Sequence, residues 1–179
     1  GGAGEGEVAG YMRRWLTDAG LDVTLEEVEP CRPNVLAWLR GSAPGPTICL
    51  TAHSDTVGYA SWADRALEPV INGDNMIGIG AADDKGQLMT FLEACRAWKA
   101  VYGSLPGKLT IFLEGEEESG SPSLIPFMQA NAAELRADIA LICDTGLFDD
   151  KTPAITTMLR GLVGEEMTIH AANKDLHSG

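Results

Sequence analysis

The stretch "KLTIFLEGEEESG", residues 108–120, decides how the chain is read. "KLTIF" is a short apolar run of the kind that forms a buried strand. At its mouth stand four carboxylates: Glu114, Glu116, Glu117 and Glu118. Like charges repel, so crowding them costs stability unless something cationic sits among them. The run is either a solvated acidic turn or half of a metal site.

The sequence on both sides alternates between strand and helix signals. Upstream, "EVAGYMRRWLTDAG" has apolar residues at helical spacing and a glycine stop at Gly20. "LDVTLEEVE" alternates like a strand until Pro30 and Pro33, and "NVLAWLRG" reads as a second strand before the turn "GSAPGP". "TICLTAH" is a continuous apolar run, as in a strand buried on both faces. "YASWADRALEP" reads as loop. "VINGDNMIGIG" reads as two strands around Asn72-Gly73-Asp74. "DKGQLMTFLEACRAWKAVYG" is a long helix with Leu88, Phe91, Leu92, Cys95 and Trp98 on one face.

Downstream, "SPSLIPFMQANA" reads as a helix with Ser121 as N-cap and Pro122 at the first position. "ADIALICDTG" reads as another buried strand, and "PAITTMLRGL" and "VGEEMTIHA" as two more. Strands alternating with helices imply an α/β sandwich with a mixed sheet.

A chain of 179 residues is long enough for a domain with its own core. A net charge of −13 with no Lys/Arg cluster argues against nucleic acid and anionic membrane surfaces as partners. No apolar run approaches the roughly 20 residues of a membrane span. Cysteines 31, 49, 95 and 143 show no CxxC spacing, so no thiolate zinc site is signalled. Cys49 and Cys143 read as core residues, and a reducing, cytoplasmic compartment is expected. There is no initiator Met, and the chain stops at "DLHSG" in mid-pattern. It reads as a piece of something longer.

The chemistry-bearing residues fall at strand ends, where open α/β sheets bind ligands. In "TAHSD", His53 and Asp55 are two apart and point the same way in extended chain. A metal-bound His usually gives its other ring N–H to such a carboxylate, but for the doublet alone a satisfied polar pair at a strand end is the commoner explanation. In "GIGAADDKG", Asp83 and Asp84 precede a helix, where Asp also serves as N-cap. Asp144 in "LICDTG" ends a strand, where Asp also forms turns. Taken together, one His and several carboxylates make a hard N/O ligand set suited to zinc or a similar divalent ion. A neighbouring carboxylate that is not a ligand would then take a proton from water. Glu116 reads as an exposed turn residue.

Six stretches in order carry a resemblance. They are "HSD" (53–55), "GAADDKGQ" (80–87), "EGEEESGS" (114–121), "CDTG" (143–146), "LRGL" (159–162) and "DLHSG" (175–179). This series resembles the zinc-dependent dipeptidase and deacylase family that includes carnosinase, carboxypeptidase G, aminoacylase, acetylornithine deacetylase and succinyl-diaminopimelate desuccinylase. Gln87 and "DLHSG" resemble the carnosinase-like dipeptidase branch most. The resemblance implies a zinc-exopeptidase-like α/β catalytic domain with a mixed, mostly parallel sheet flanked by helices. Its first half would occupy residues 1–161, and residues 162–179 would begin an inserted lid or dimerisation domain.

Carried over by position, His53 and Asp144 would bind one Zn2+, Asp83 would bridge to a second, and Glu118 would bind that second ion. Mn2+ or Co2+ could replace zinc. Glu117 would be the general base, and Asp55 would orient His53. The Asp83–Asp84 peptide would be cis. His177 would reach the active site of the other subunit in a homodimer. The implied reaction is metal-dependent hydrolysis of an amide bond in dipeptides or related small substrates. N-acyl amino acid deacylation is the alternative within the family, and a non-catalytic relative acting in binding is the alternative outside it.

The sequence departs from the family pattern at Ile79, where Arg is usual, at Ala52, where Gly is usual, and at "DTVGYA". The family also places a second metal-binding His further on, and no His follows His177.

Overall fold

The computed structural model describes residues 5–58 and 66–170. Residues 1–146 form one unit and residues 147–179 another.

The first unit is built on a five-stranded sheet. Its strands are β1 (Asp22–Glu29), β2 (Arg32–Arg40), β3 (Ala43–His53), β6 (Pro106–Glu114) and β7 (Ile139–Ile142), in the order β1-β2-β6-β3-β7. A separate hairpin pairs β4 (Val70–Asn72) with β5 (Asn75–Ile77). In the large sheet, β1–β2 and β2–β6 pair antiparallel, whereas β6–β3 and β3–β7 pair parallel. The parallel part aligns the carboxyl ends of β6, β3 and β7 along one edge.

Alternation along the strands sorts side chains to two faces. Val35, Ala37, Leu50, Ala52, Leu109, Ile111 and Leu113 face Ala9, Met12 and Leu16 of α1 (Glu5–Asp18) and Leu88 and Leu92 of α2 (Gly86–Tyr102). Leu36, Cys49 and Phe112 face the other way, onto Phe127 of α3 (Leu124–Ala130), with Leu135 of α4 (Ala132–Leu135) packed beside them. The result is a mixed sheet with helices on both faces, each burying its apolar stripe. Cys49 and Cys143 are buried, as expected, and the four cysteines are free thiols.

Several elements differ from the sequence reading. "GSAPGP" is not a separate turn: β3 begins at Ala43 and shifts register against β6 before Thr47. Trp98, expected on the buried face of α2, is 46% exposed and packs on Tyr102 with ring centroids 4.7 Å apart. Helix α3 starts at Leu124, after Ser121 and Pro122, because the Ser121 backbone takes a left-handed φ of 50° and its side chain bonds elsewhere. Among the described residues strand β7 pairs only with β3, and Ile139, Leu141 and Ile142 are exposed rather than buried.

In the second unit, residues 147–170 contain no helix or strand. The expected strands "PAITTMLRGL" and "VGEEMTIHA" are absent among the described residues. Their apolar side chains favour strand, but a strand persists only where a ladder satisfies its backbone, and none forms there. The unit's one described turn joins the Phe148 N–H to the Thr152 carbonyl at 3.1 Å.

Candidate metal centre

Register explains why distant residues meet. His53 ends β3 directly opposite Glu114, the last residue of β6. Ile142 of β7 pairs with Thr51, so Asp144, two residues on, comes level with His53. The loop between β5 and α2 delivers Asp83 and Asp84. Gly80 starts a π-helical turn (Ala81–Lys85) with φ of 69°, and Asp83 leaves helical geometry within it. The Asp83–Asp84 peptide is cis. A side chain at Gly80 would collide with Lys85 Nζ and Thr56 Cγ2, so glycine also admits the lysine head here.

The ring of His53 is 2% exposed. Its Nδ1 lies 3.1 Å from the Asp55 carbonyl oxygen. A carbonyl only accepts, so Nδ1 carries the hydrogen. The Asp55 carboxylate lies 3.4 Å from the same nitrogen. Nε2 then faces outward, 2.9 Å from Asp83 Oδ1 and 3.9 Å from Asp144 Oδ2.

His53, Asp83 and Asp144 offer ligand atoms within 4.8 Å of one another. His53, Glu117 and Glu118 do the same, and the two groups share only the imidazole. Asp83 and Glu118 fall in different groups, although the Asp83 charge reaches Glu118.

Asp55 has a second task that its spacing from His53 does not reveal. Its Oδ1 and Oδ2 accept the backbone N–H groups of Glu117 and Glu118 at 3.2 and 3.0 Å. One carboxylate thus ties the histidine to the acidic turn. The bend in that turn uses Gly120, with φ of 85°, and Ser121, with φ of 50°.

The four carboxylates of the opening stretch have different fates. Glu117 and Glu118 turn toward His53. Glu114 is half-buried, and its Oε1 accepts the Ser121 hydroxyl at 3.1 Å. Glu116 is 3% exposed, which corrects its reading as an exposed turn residue. Its carboxylate accepts the Ser123 N–H at 3.0 Å and lies 3.8 Å from Arg32 Nη1.

Asp84 does not cap a helix either. Fully buried, it accepts the His53 backbone N–H through Oδ2 at 3.1 Å, while its Oδ1 has no hydrogen-bond partner. Arg32, Asn34 and Asp84 are the site residues whose tasks the sequence reading missed. "DDKG" signalled Asp84, but nothing local signalled the other two. His177 lies outside the described residues.

Burial and the charges around His53 shift the pKa values of several of its neighbours. Burial pushes the His53 pKa down, but hydrogen bonds to Asp55 and Asp83 and the charges of Asp55 and Asp84 overcome it and raise it to about 10. Burial lifts Asp84 to about 6. Glu114 and Glu118 are also raised, by burial first and then by neighbouring carboxylates. Lys85 is half-buried and lowered by burial, with the charges of Asp55, Asp83 and Asp84 opposing. The donor set is one imidazole nitrogen and carboxylate oxygens, which suits zinc and similar divalent ions. Cys143, next to Asp144, is pushed up to about 12 by burial, so no thiolate competes.

Known proteins are similar to this chain in sequence and fold. Residues 49–173 match the family model of peptidase family M20/M25/M40. The Cys-Gly metallodipeptidase dug1 of Schizosaccharomyces pombe is 34% identical over 84% of this chain and 33% of its own length. The cysteinylglycine-S-conjugate dipeptidase of Corynebacterium striatum is 31% identical over 97% of this chain and 39% of its own. The M20 family metallo-carboxypeptidase Sso-CP2 from Sulfolobus solfataricus superposes with a TM-score of 0.70 at 26% identity, covering 80% of this chain and 33% of that one. This chain therefore spans about a third of the length of such relatives. The family match runs through β3, the cis Asp83–Asp84 turn, the acidic turn and β7, the elements that assemble the site around His53. On that match, the chain belongs to peptidase family M20/M25/M40.

Proposed function

We propose that this chain supplies the first half of the catalytic domain of a metal-dependent dipeptidase. The observation that carries the reading is the double convergence on His53, with Asp83 and Asp144 in one group and Glu117 and Glu118 in another. The similarity to two dipeptidases acting on Cys-Gly compounds supports a small peptide as substrate.

In this reading His53, Asp83 and Asp144 would hold one divalent cation, and Glu118, together with Asp83, would hold a second. Zinc suits the donor set best, and Mn2+ or Co2+ fits the same oxygens. When bound, such ions polarise a carbonyl oxygen and lower the pKa of a water. Glu117 is exposed, with its backbone N–H held by Asp55 and its carbonyl by the Gly120 N–H, and its carboxylate would accept a proton from water and return it to the leaving amine. Asp55 holds His53 in the Nδ1–H form, so that Nε2 faces the ligand side. Lys85 offsets part of the negative charge. The intact protein acts as a homodimer in which His177 serves the neighbouring subunit, and it works in the cytoplasm, where four free thiols remain reduced.

The test is elemental analysis of the intact protein beside turnover on a dipeptide panel that includes Cys-Gly. The reading expects divalent metal, and activity that a chelator removes and added zinc or manganese restores. Peptide hydrolysis at full rate in the chelated protein would refute it.

A further inference from the structure

From the packing of the acidic turn we infer that Glu116 is a positioning residue for Glu117 and Glu118, with Arg32 as its counter-charge. The inference rests on the roles just proposed for those two glutamates.

Glu116 holds the turn in three ways. Its backbone carbonyl accepts both the Ser119 N–H at 3.0 Å and the Ser121 N–H at 2.9 Å. Its Oε2 accepts the Ser123 N–H at 3.0 Å. Residues 116–123 are thereby closed into a loop around one side chain. On the other side of the turn, Asp55 holds the N–H groups of Glu117 and Glu118. The backbone carrying those two residues is fixed from both sides, while their carboxylates remain directed at His53.

A carboxylate buried this deeply beside three others needs a cation and hydrogen bonds to stay. Arg32 supplies the charge. Its Nη1 lies 3.8 Å from Glu116 Oε1 and donates to Ser119 Oγ at 3.3 Å, so it grips both the clamp and the turn. Two positions along β2, Asn34 is 2% exposed, and its Oδ1 accepts the Gly115 N–H at 3.3 Å. The start of β2, more than 80 residues away in sequence, therefore sets where the acidic turn lies. Small displacements of catalytic groups are costly, which gives this distant strand leverage over the reaction.

The experiment compares Glu116→Ala, Glu116→Gln and Arg32→Met in the intact, metal-loaded protein. Two quantities are read: kcat and KM on a dipeptide, and metal affinity by chelator competition. Glu116→Ala should lower kcat by about 10–100-fold with KM near the wild-type value, and weaken metal binding by a similar factor. Glu116→Gln should recover much of the loss, because its amide oxygen still accepts the Ser123 N–H. Arg32→Met should lose kcat in the same direction as Glu116→Ala.

If Glu116→Ala fails to fold, the other two variants decide the matter. A lower melting temperature with kcat and metal affinity unchanged would assign Glu116 to stability alone and overturn the inference. If Glu117→Gln is inactive while Glu116→Ala and Arg32→Met turn over normally, only the positioning role fails. Full turnover in Glu117→Gln would instead remove the reading beneath it.

Discussion

The buried carboxylate of Asp84 accepts the backbone N–H of His53 at 3.1 Å. Asp84 sits in the π-helical turn just before α2 and His53 at the end of β3, so this bond fastens the turn bearing Asp83 to the strand bearing the imidazole. Removing it leaves a buried N–H without a partner, at a cost of about 1–3 kcal/mol. Asp84→Ala should lose about that much stability in urea unfolding. Asp84→Asn keeps an acceptor and should lose less. Equal losses in the two variants would show that the hydrogen bond is not what Asp84 contributes.

Metal binding should release a proton. With its pKa raised to about 10 in the metal-free chain, the imidazole is protonated at neutral pH, and a cation at Nε2 must displace that proton. Apparent metal affinity should therefore climb from about pH 6 to about pH 8. Calorimetry in buffers of different ionisation enthalpy should record the release. The sign also holds for folding. A folded-state pKa above the ordinary 6.5 stabilises the metal-free chain below that value, and the contribution fades as pH rises through about 10. Metal affinity that is flat or falling with pH would contradict this account of His53.

The second face of the sheet carries one aromatic stack. The rings of Phe112 on β6 and Phe127 on α3 stack with centroids 5.0 Å apart, and both residues are buried. Phe112→Ala should cost about 3–5 kcal/mol in chemical unfolding. A loss under about 1 kcal/mol would mean that α3 is held to the sheet by other contacts.

What was legible in the sequence was what local pattern encodes. The apolar run of β3, the helical spacing of α1 and the glycine stop at Gly20 all read correctly. The residues around His53 were legible because each follows a strand or precedes a helix. The role of Glu116 was not. It looks like its neighbours in "EEE", and only Arg32, Ser119 and Ser123 distinguish it. Arg32 lies 87 residues from Ser119, a separation that no period-2 or period-3.6 pattern spans. The start of α3 was misplaced for a related reason: Ser121 has the right chemistry for a cap, but it spends its hydroxyl on Glu114. β7 was read as buried because composition records apolarity, and only the sheet order reveals that one of its edges has no partner strand among the described residues.

The central claim is that two adjacent glutamates at the mouth of β6 have different tasks, Glu118 holding metal and Glu117 moving a proton. The most direct measurement is turnover on a dipeptide beside metal stoichiometry in the intact protein, for Glu117→Gln and Glu118→Gln. Glu117→Gln keeps shape and hydrogen bonding but cannot take the proton. Its rate should fall about 10²–10⁴-fold with metal content unchanged. Glu118→Gln should lose both rate and metal. Near-normal turnover in Glu117→Gln, or loss of metal from Glu117→Gln with full occupancy in Glu118→Gln, would contradict the assignment.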